Sequence, residues 1–528
     1  MRFLSVNLNC FLVEFSSLEE TIAAYHFLQQ TQYPYIQELI PAARTILVHF
    51  DVLFIDAKTL ISWISSQKID QYAANTSKEV TINVCYDGVD LVYVAEYLGI
   101  GVDEVIHKHT HSRWQVAFIG FAPGFAYLVS PDHPFGSIPR LASPRKKITS
   151  GSVGLAGEYS GIYPKDSPGG WQLIGHTDQA MWDVYREQAA LLLPSDQVIF
   201  KDISKHPTQV AVPSTRSIST QAQQNPVVLT VKNVGLQVLV QDEGRKNVAQ
   251  LGVGHAGAMD RGAFYGANAC VGNPKNAAVL EILNGGLHLK VMKETVIAVT
   301  GADAELWVTY ANAYKVKQLL YQPIALDQGD EIYISSPQAG IRNYLAIRGG
   351  VAVEHVLNSA SYDSLAELGA APIRVRDEIH SAQLKTQPVD LNQLPVSPLP
   401  KVGDQIVVDI MLGPRVDWFT PDSIDLLLGQ RWLVTADSNR IGLRLAGDKS
   451  LQRQINQELP SEGCCTGAIQ IPPSGQPVLF MNDHPITGGY PVIAAVTPYH
   501  LDLIAQIAAG CYIQFRKISD FMGIKENV

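Results

Sequence analysis

Two arginines set directly behind prolines, Arg140 and Arg145, precede the glycine-rich stretch Gly151 to Gly157 and the run Ser167-Pro168-Gly169-Gly170-Trp171-Gln172-Leu173-Ile174-Gly175-His176-Thr177. A guanidinium on a proline-stiffened backbone can hold a carboxylate or phosphate through forked hydrogen bonds. His176 can take up or release a proton near neutral pH. Each arginine alone suits a solvated surface; their grouping is what points to an anion site. Just upstream, Phe118 to Leu128 includes Pro123, Gly124 and Phe125 and sets aromatic rings among glycines and a proline. Such a segment either leaves backbone amides open to a ligand or packs as an aromatic corner, and its composition favours the corner.

A second group lies further along. Gln241-Asp242-Glu243-Gly244-Arg245 leads into Gly252-Val253-Gly254-His255-Ala256-Gly257-Ala258-Met259-Asp260-Arg261. A dinucleotide site would need a strand ending at the first glycine inside a β-α-β unit. Polar Arg245-Lys246-Asn247 lies there instead, which excludes it. An anion held at a helix start and a plain tight turn both remain. Near the end come Arg440, Arg444, Glu462, Gln470, Asp483 and Thr487-Gly488-Gly489-Tyr490-Pro491. Donors and acceptors around glycine-rich backbone suit a small polar ligand, with structural ion pairs as the competing reading.

Other patterns are set aside. In His107-Lys108-His109-Thr110-His111, residues two apart on a helix diverge, and no carboxylate or cysteine completes a ligand set, so a surface placement is expected and no metal centre is assigned. No phosphate loop of the Gly-x-x-x-x-Gly-Lys type occurs. Val291-Met292-Lys293-Glu294 lacks the second methionine of a biotin-acceptor tip, so covalent biotin is not expected.

The elements that must position these groups follow from composition and periodicity. At 528 residues the chain exceeds one hydrophobic core, and a net charge of -10 with no basic run longer than Arg145-Lys146-Lys147 excludes a nucleic-acid surface. No apolar stretch reaches membrane-span length and no basic leader opens the chain. Six cysteines are too few and too scattered for a disulfide framework, which suits a reduced cytoplasm. The first 85 residues read as a small α+β subdomain, with a strand near Phe11–Phe15, a helix capped by Ser17 and Glu20, and a strand over Thr45–Phe50. Short helices are expected near 89–98 and 103–111. Beyond them, short strands broken by Gly and Pro predict antiparallel barrels or sandwiches. The segments are 1–203 (the barrel beginning at 86), a polar linker over 204–226, and 227–528, divided into lobes 227–390 and 400–528. An internal echo links Gly161-Ile162-Tyr163-Pro164 plus Pro168–Ile174 with Gly475-Gln476-Pro477-Val478 plus Thr487–Ile493, each placing a Gly-Gly-aromatic turn before an apolar strand.

Phe118–Leu128, Gly151–Gly157 and Pro168–Thr177 resemble the signature blocks of the 5-oxoprolinase B subunit, the KipI family. Gln241–Arg245, Gly252–Asn268, Ser438–Leu445, Gln470 and Thr487–Pro491 resemble those of the C subunit, the KipA family. The chain thus looks like a B-then-C fusion, also related to the carboxyltransferase region of urea carboxylase and to proteins called allophanate hydrolase. The resemblance implies a mainly β fold of cyclophilin-like barrels. It also implies ATP-dependent conversion of 5-oxoproline to glutamate with a separate A subunit of the LamB/YcsF type, using ATP and Mg2+, and it is compatible with a homo-oligomer. By analogy His176, Arg140, Arg145, Arg440 and Arg444 would contact substrate or phosphate, and Glu462, Asp483 or Asp260 would bind Mg2+ or move protons, with His176, Glu462 and Asp483 as the catalytic set. Pro123, Gly124, Phe125, Gly169, Gly170, Trp171, Gln241, Arg245, His255, Gln470, Thr487, Gly488, Gly489 and Tyr490 would line the site. Two alternatives are an amide enzyme of the urea carboxylase or allophanate hydrolase type, and a KipI-like regulator that binds a sensor histidine kinase.

Overall fold

The opening strands bury both of their faces. Along Arg2–Asn7 and Cys10–Glu14 successive side chains alternate. Leu4, Val6, Cys10 and Leu12 enter one apolar cluster, and Phe11 and Val13 enter another. With Thr45–Phe50 and Ile36–Pro41 these strands form a four-stranded antiparallel sheet. Helices Leu18–Thr31 and Ala57–Ser66 cover the face bearing Phe11 and Val13. The first helix starts where Ser17 Oγ accepts from the Glu20 amide at 3.3 Å, while the Glu20 carboxylate accepts from the Ser16 amide at 3.0 Å; each contact satisfies a backbone donor near the helix start. The computed structural model describes residues 1–67, 69, 78–204 and 225–518. Most of the expected linker, 205–224, lies outside the described residues.

Two seven-stranded barrels follow, one in each half, and they share a strand order. In the first, the neighbours run Glu79–Val84, Gln197–Asp202, Trp114–Ile119, Ala126–Val129, Tyr159–Ile162, Ser152–Ala156, Gln172–His176. In the second they run Gln405–Leu412, Tyr512–Lys517, Trp432–Val434, Gly442–Ala446, Val478–Phe480, Ala468–Gln470, Val492–Val496. The first two strands of each series pair in parallel, departing from the all-antiparallel expectation. Glu79–Val84, which the expected boundary assigns to the small subdomain, therefore belongs to the first barrel. Each barrel also carries a two-stranded ladder, Arg145–Ile148 with Ser167–Gly169 and Glu462–Gly463 with Thr487–Gly488. The echo in the sequence thus marks equivalent places in two copies of one topology.

The second barrel closes through the pairing of Gln405–Leu412 with Val492–Val496. The first closes at a narrower seam, where Cys85 and His176 exchange backbone hydrogen bonds of 2.8 and 2.9 Å. Glycine makes this approach possible. A Cβ on Gly175 would stand 2.5 Å from the Cys85 carbonyl oxygen, and one on Gly88 would stand 2.3 Å from the Ile174 carbonyl carbon. Helices Leu91–Leu98 and Val102–His111 pack on this barrel. On the second helix the histidine run divides: His107 and His111 are exposed and stack at 3.9 Å, as a surface reading requires. His109 departs from that reading. It is buried, bonded to Tyr86 Oη at 2.7 Å and Ser160 Oγ at 2.8 Å, and burial lowers its pKa to about 3.

Between the barrels, residues from Val227 to His380 form a six-stranded and a five-stranded sheet around one apolar core, an open pair where a barrel-like lobe is expected. Helix Arg261–Val271 packs on the five-stranded sheet. The molecule is mainly β, and among the described residues no helix is long and apolar enough to cross a membrane.

The seam yields a prediction. Gly175→Ala should lower stability by about 1–3 kcal/mol, the usual cost of forcing a methyl into closed packing. Gly170→Ala, whose added Cβ meets nothing nearer than 3.7 Å, should shift the melting temperature far less. Calorimetry of the two variants makes the comparison.

Candidate functional site

The glycine-rich blocks of the two halves meet. A Cβ on Gly120 would collide with Thr487 Oγ1 at 2.2 Å, and one on Gly252 would lie 2.7 Å from the Ala122 carbonyl oxygen. The Gly124 amide donates to the Leu251 carbonyl at 2.9 Å. Gly254 faces the His484 carbonyl oxygen and Asp363 Oδ2, 3.4 and 3.7 Å from where its Cβ would be. At Gly252 the crowding atom is backbone and at Gly120 it is the Thr487 side chain, so neither position has room for a methyl group, whereas Gly254 lies at ordinary contact distance.

Within this junction several expected contacts are taken up internally. Arg440 places its Nε and Nη2 on the two oxygens of Asp483 at 2.9 and 2.8 Å, its Nη1 on Glu281 and a further Nη2 bond on the Gly257 carbonyl. Burial pulls this guanidinium down, and Asp483 and Glu281 more than reverse it. Asp483 also accepts from the Ser364 amide and hydroxyl. Glu462 is closed by Arg415, whose Nε reaches its two oxygens at 2.9 and 3.1 Å and whose Nη2 reaches Glu14 of the first strand pair at 2.6 Å. Asp260 caps helix Arg261–Val271 through the Ala263 amide and accepts from Gln506. Burial, with Asp502 nearby, raises Asp260 to about 6. Removing one partner from such a pair strands a charge in low dielectric, so these groups hold the junction together.

These placements bear on the expected Mg2+. The three carboxylates proposed to carry it each have protein donors, and among the described residues none of them belongs to a group of three ligand atoms close enough to share an ion, so they do not fit a divalent cation. No step is assigned to one there.

The remaining expected residues are spread over several settings. Gln241 and Arg245 are buried: Gln241 Nε2 reaches the Tyr362 carbonyl, and Arg245 reaches the Val356 and Ser361 carbonyls. Gln470 Nε2 donates to the Tyr490 carbonyl at 3.0 Å. Pro123, Gly124, Phe125 and Trp171 are buried, and Phe125 and Trp171 belong to an aromatic corner with Phe118, Tyr127 and Tyr163. A Cβ on Gly169 would strike Tyr163 Oη at 2.4 Å. Arg444, Gly489 and Tyr490 are on the surface, with Arg453 over the Tyr490 ring. Gly170 and Gly488 are half-buried, and Thr487 is buried. Arg145 is paired with Asp90 at 2.7 Å. His176 sits apart from the junction blocks at the barrel seam, bonded to Asp87 at 2.7 Å.

Arg140 differs from the other arginines named. It is exposed, joins no ion pair among the described residues, and acts electrostatically on Tyr127, Tyr159 and Tyr163. Burial raises Tyr127 and Tyr163 to about 12, with Arg140 acting in the opposite direction. Arg44, which carries no sequence signal, is exposed and acts on the same Tyr159. Its neighbour Ala43 donates to the Ser461 carbonyl at 3.1 Å, and Ser461 contacts Tyr127. Small subdomain, first barrel and second barrel therefore meet at a tyrosine wall flanked by two exposed guanidinium groups, an arrangement that can hold an anion.

Two further features are assembled by the fold, and of their residues only His255 belongs to a block singled out in the sequence. A cavity of about 480 Å³ opens between the helix Leu18–Thr31, the strand Ile36–Pro41 and residues Asn247–Gln250, lined by Tyr25, Gln29, Glu38 and Gln250 among others. Burial raises Glu38, which accepts from the Ala249 amide at 3.2 Å. Beside the junction lie His49, His255 and His484, contributed by three units of the fold. Burial lowers His49 to about 4, with His484 and His255 adding to the effect; burial likewise lowers His255 to about 4 and depresses His484.

The pH dependence follows. The folded pKa values of these histidines lie below the unfolded value near 6.5, so their contribution to stability is present above that value and is lost as pH falls toward 4. Asp260 and Asp363, both raised to about 6, act in the opposite direction as pH rises through the same window. Melting temperatures of wild type and His49→Gln measured from pH 7 to 4 should therefore diverge, the variant showing the shallower decline.

Residues 1–192 match the family described as carboxyltransferase domain, subdomain C and D, and residues 251–517 match carboxyltransferase domain, subdomain A and B. Against the 5-oxoprolinase C subunit of Escherichia coli (strain K12) the chain is 32% identical over 292 residues, 55% of this chain and 92% of the relative. Against the 5-oxoprolinase B subunit of Escherichia coli O157:H7 it is 37% identical over 175 residues, 32% of this chain and 78% of the relative. The urea amidolyase of Lachancea kluyveri is 31% identical over 317 residues, covering 56% of this chain but only 17% of that protein. The crystal structure of TTHA0988 superposes with a TM-score of 0.83 at 28% identity, covering 96% of this chain and 99% of that one. The chain belongs to the carboxyltransferase-domain family, and it joins in one polypeptide the regions that correspond to the B and C subunits of 5-oxoprolinase.

Proposed function

We propose that this chain is the joined B and C component of an ATP-dependent 5-oxoprolinase, working with a separate A-type subunit to convert 5-oxo-L-proline, ATP and water to L-glutamate, ADP and phosphate. The observation that carries this reading is the meeting of the two halves: each resembles one of the two subunits, and their glycine-rich blocks pack directly on each other. A single polypeptide keeps the halves at high effective concentration, which favours a site shared between them.

The chemistry needed is activation of a lactam, whose carbonyl is a poor electrophile. ATP supplies a phosphoryl group that turns the carbonyl oxygen into a leaving group before water attacks. In this reading Arg140 and Arg44 hold the anionic groups: the substrate carboxylate or a phosphoryl oxygen accepts their N–H donors beside Tyr127, Tyr159 and Tyr163. Both guanidinium groups are exposed, so these contacts form at the edge of the buried tyrosine cluster and are screened in part by water. The Glu38 cavity has no arginine or lysine in its lining and suits an uncharged amide better than a carboxylate.

The urea amidolyase relatives support a second reading, action on a urea-derived amide, though the chain spans less than a fifth of the Lachancea kluyveri protein's length. A regulatory role of the KipI kind needs only the first half, and the conjoined second half favours the enzyme.

The test mixes the chain with its A-type partner, ATP, Mg2+ and 5-oxoproline and follows glutamate and ADP. Coupled formation of both is expected. Arg140→Ala and Arg44→Ala should each lower kcat/KM by roughly ten- to a hundredfold, the range for losing a hydrogen bond to a charged group. Turnover of a urea-derived amide in place of 5-oxoproline, or no turnover together with tight binding to a sensor kinase, would overturn the reading. Wild-type kinetics in both arginine variants would move the anion site elsewhere.

A further inference from the structure

We infer that Cys85, Asp87 and His176 form a binding site for a divalent transition-metal ion of the Zn2+ class at the seam of the first barrel. The backbone register builds it. Cys85 and His176 are directly opposed and exchange hydrogen bonds of 2.8 and 2.9 Å, so their side chains leave the same face of the sheet. Two residues on, the Asp87 amide turns back to the Cys85 carbonyl at 3.2 Å, and its carboxylate reaches His176 Nδ1 at 2.7 Å. One ligand atom from each of the three residues lies within 4.8 Å of the others.

The donor set selects the ion. Thiolate, imidazole and carboxylate together suit Zn2+ or Co2+, whereas Mg2+ and Ca2+ prefer oxygen alone. The thiol is also the accessible one: Cys10, Cys270, Cys464, Cys465 and Cys511 are buried, and Cys85 is partly open. Asp87 and His176 expose 57% and 46% of their side chains, which leaves a fourth coordination position facing solvent. Structural zinc sites are closed by four protein ligands, and three ligands with an open position leave room for water or a small anion.

No sequence spacing announces this site, because Asp87 and His176 stand 89 residues apart and only barrel closure joins them. Binding releases the thiol proton to solvent, and the proton now shared by His176 Nδ1 and Asp87 passes to Nε2 by exchange with water, so that the cation takes its place between the two side chains. The ligands come from the two edges that meet at the seam, so the ion also stabilises the closed barrel, in proportion to its occupancy. This inference stands independently of the reaction assigned above.

The test is titration of metal-free, full-length protein with Co2+ under anaerobic conditions. One Co2+ per chain is expected, with a near-ultraviolet thiolate-to-cobalt charge-transfer band, displacement by Zn2+ but not by Mg2+, and a higher melting temperature. Cys85→Ser should remove the band, and Asp87→Asn and His176→Ala should each weaken Co2+ binding at least roughly tenfold, a loss seen even for outer-shell partners of metal sites. Cys511→Ser should retain both the band and the affinity. Circular dichroism checks that the variants are folded, and Asp87→Asn changes an exposed turn whose loss leaves the barrel core intact. Absence of saturable Co2+ binding by wild type, or a charge-transfer band that survives in folded Cys85→Ser, would overturn the site.

Discussion

The small amino-terminal sheet has no free face, and the rest of the architecture depends on that. One side is closed by its own helices; the other contributes Leu4, Val6, Cys10, Leu12, Ile40 and Leu47 to a cluster shared with Cys464, Cys465, Ala468, Phe480, Ile486, Val492 and Ala495 of the second barrel. Residues from opposite ends of the chain thus bury apolar surface in common, and burial of this kind is the largest favourable term in folding. Met411 of the second barrel even joins the helix-covered cluster. The second barrel is seated on the first fifty residues.

Polar contacts follow the same plan. Arg415 of the second barrel reaches both Glu462 and Glu14, tying the barrel to the amino-terminal sheet where water is largely excluded. The Asn7 side chain donates to the Val496 carbonyl. In each barrel an ion pair links the segment after the first barrel strand to the short ladder: Asp90 with Arg145 in one, Arg415 with Glu462 in the other. The position is shared and the charges are exchanged, as expected when two copies of one topology keep a need for neutralisation but not the residues that meet it.

Much of this is legible in the residues, and the reasons for the failures are specific. Ser17 and Glu20 announce a helix start, and the Gly-Gly-aromatic turns announce equivalent places in two barrels, because both signals are local. The distinction between Arg440 and Arg140 is not local. Both are arginines near glycine-rich turns, yet one is enclosed by Asp483 and Glu281, which are remote from it in sequence, and the other faces solvent. His109 defies its surface expectation because its partners, Tyr86 and Ser160, arrive through tertiary packing. Arg44, Glu38 and His49 carry no motif at all and become notable only through what folds against them.

The parallel pairing that completes each barrel has a consequence during synthesis. The strand Glu79–Val84 cannot find its neighbour until Gln197–Asp202 has left the ribosome, and Gln405–Leu412 waits in the same way for Tyr512–Lys517. Contacts so distant along the chain form slowly and leave strand edges unpaired meanwhile. The first sheet waits longest, since the surface that covers its second face belongs to the later of these two barrels. Nascent chains of this protein therefore pass through a prolonged stage in which adhesive edges are open, and chaperone demand should track the length of that interval.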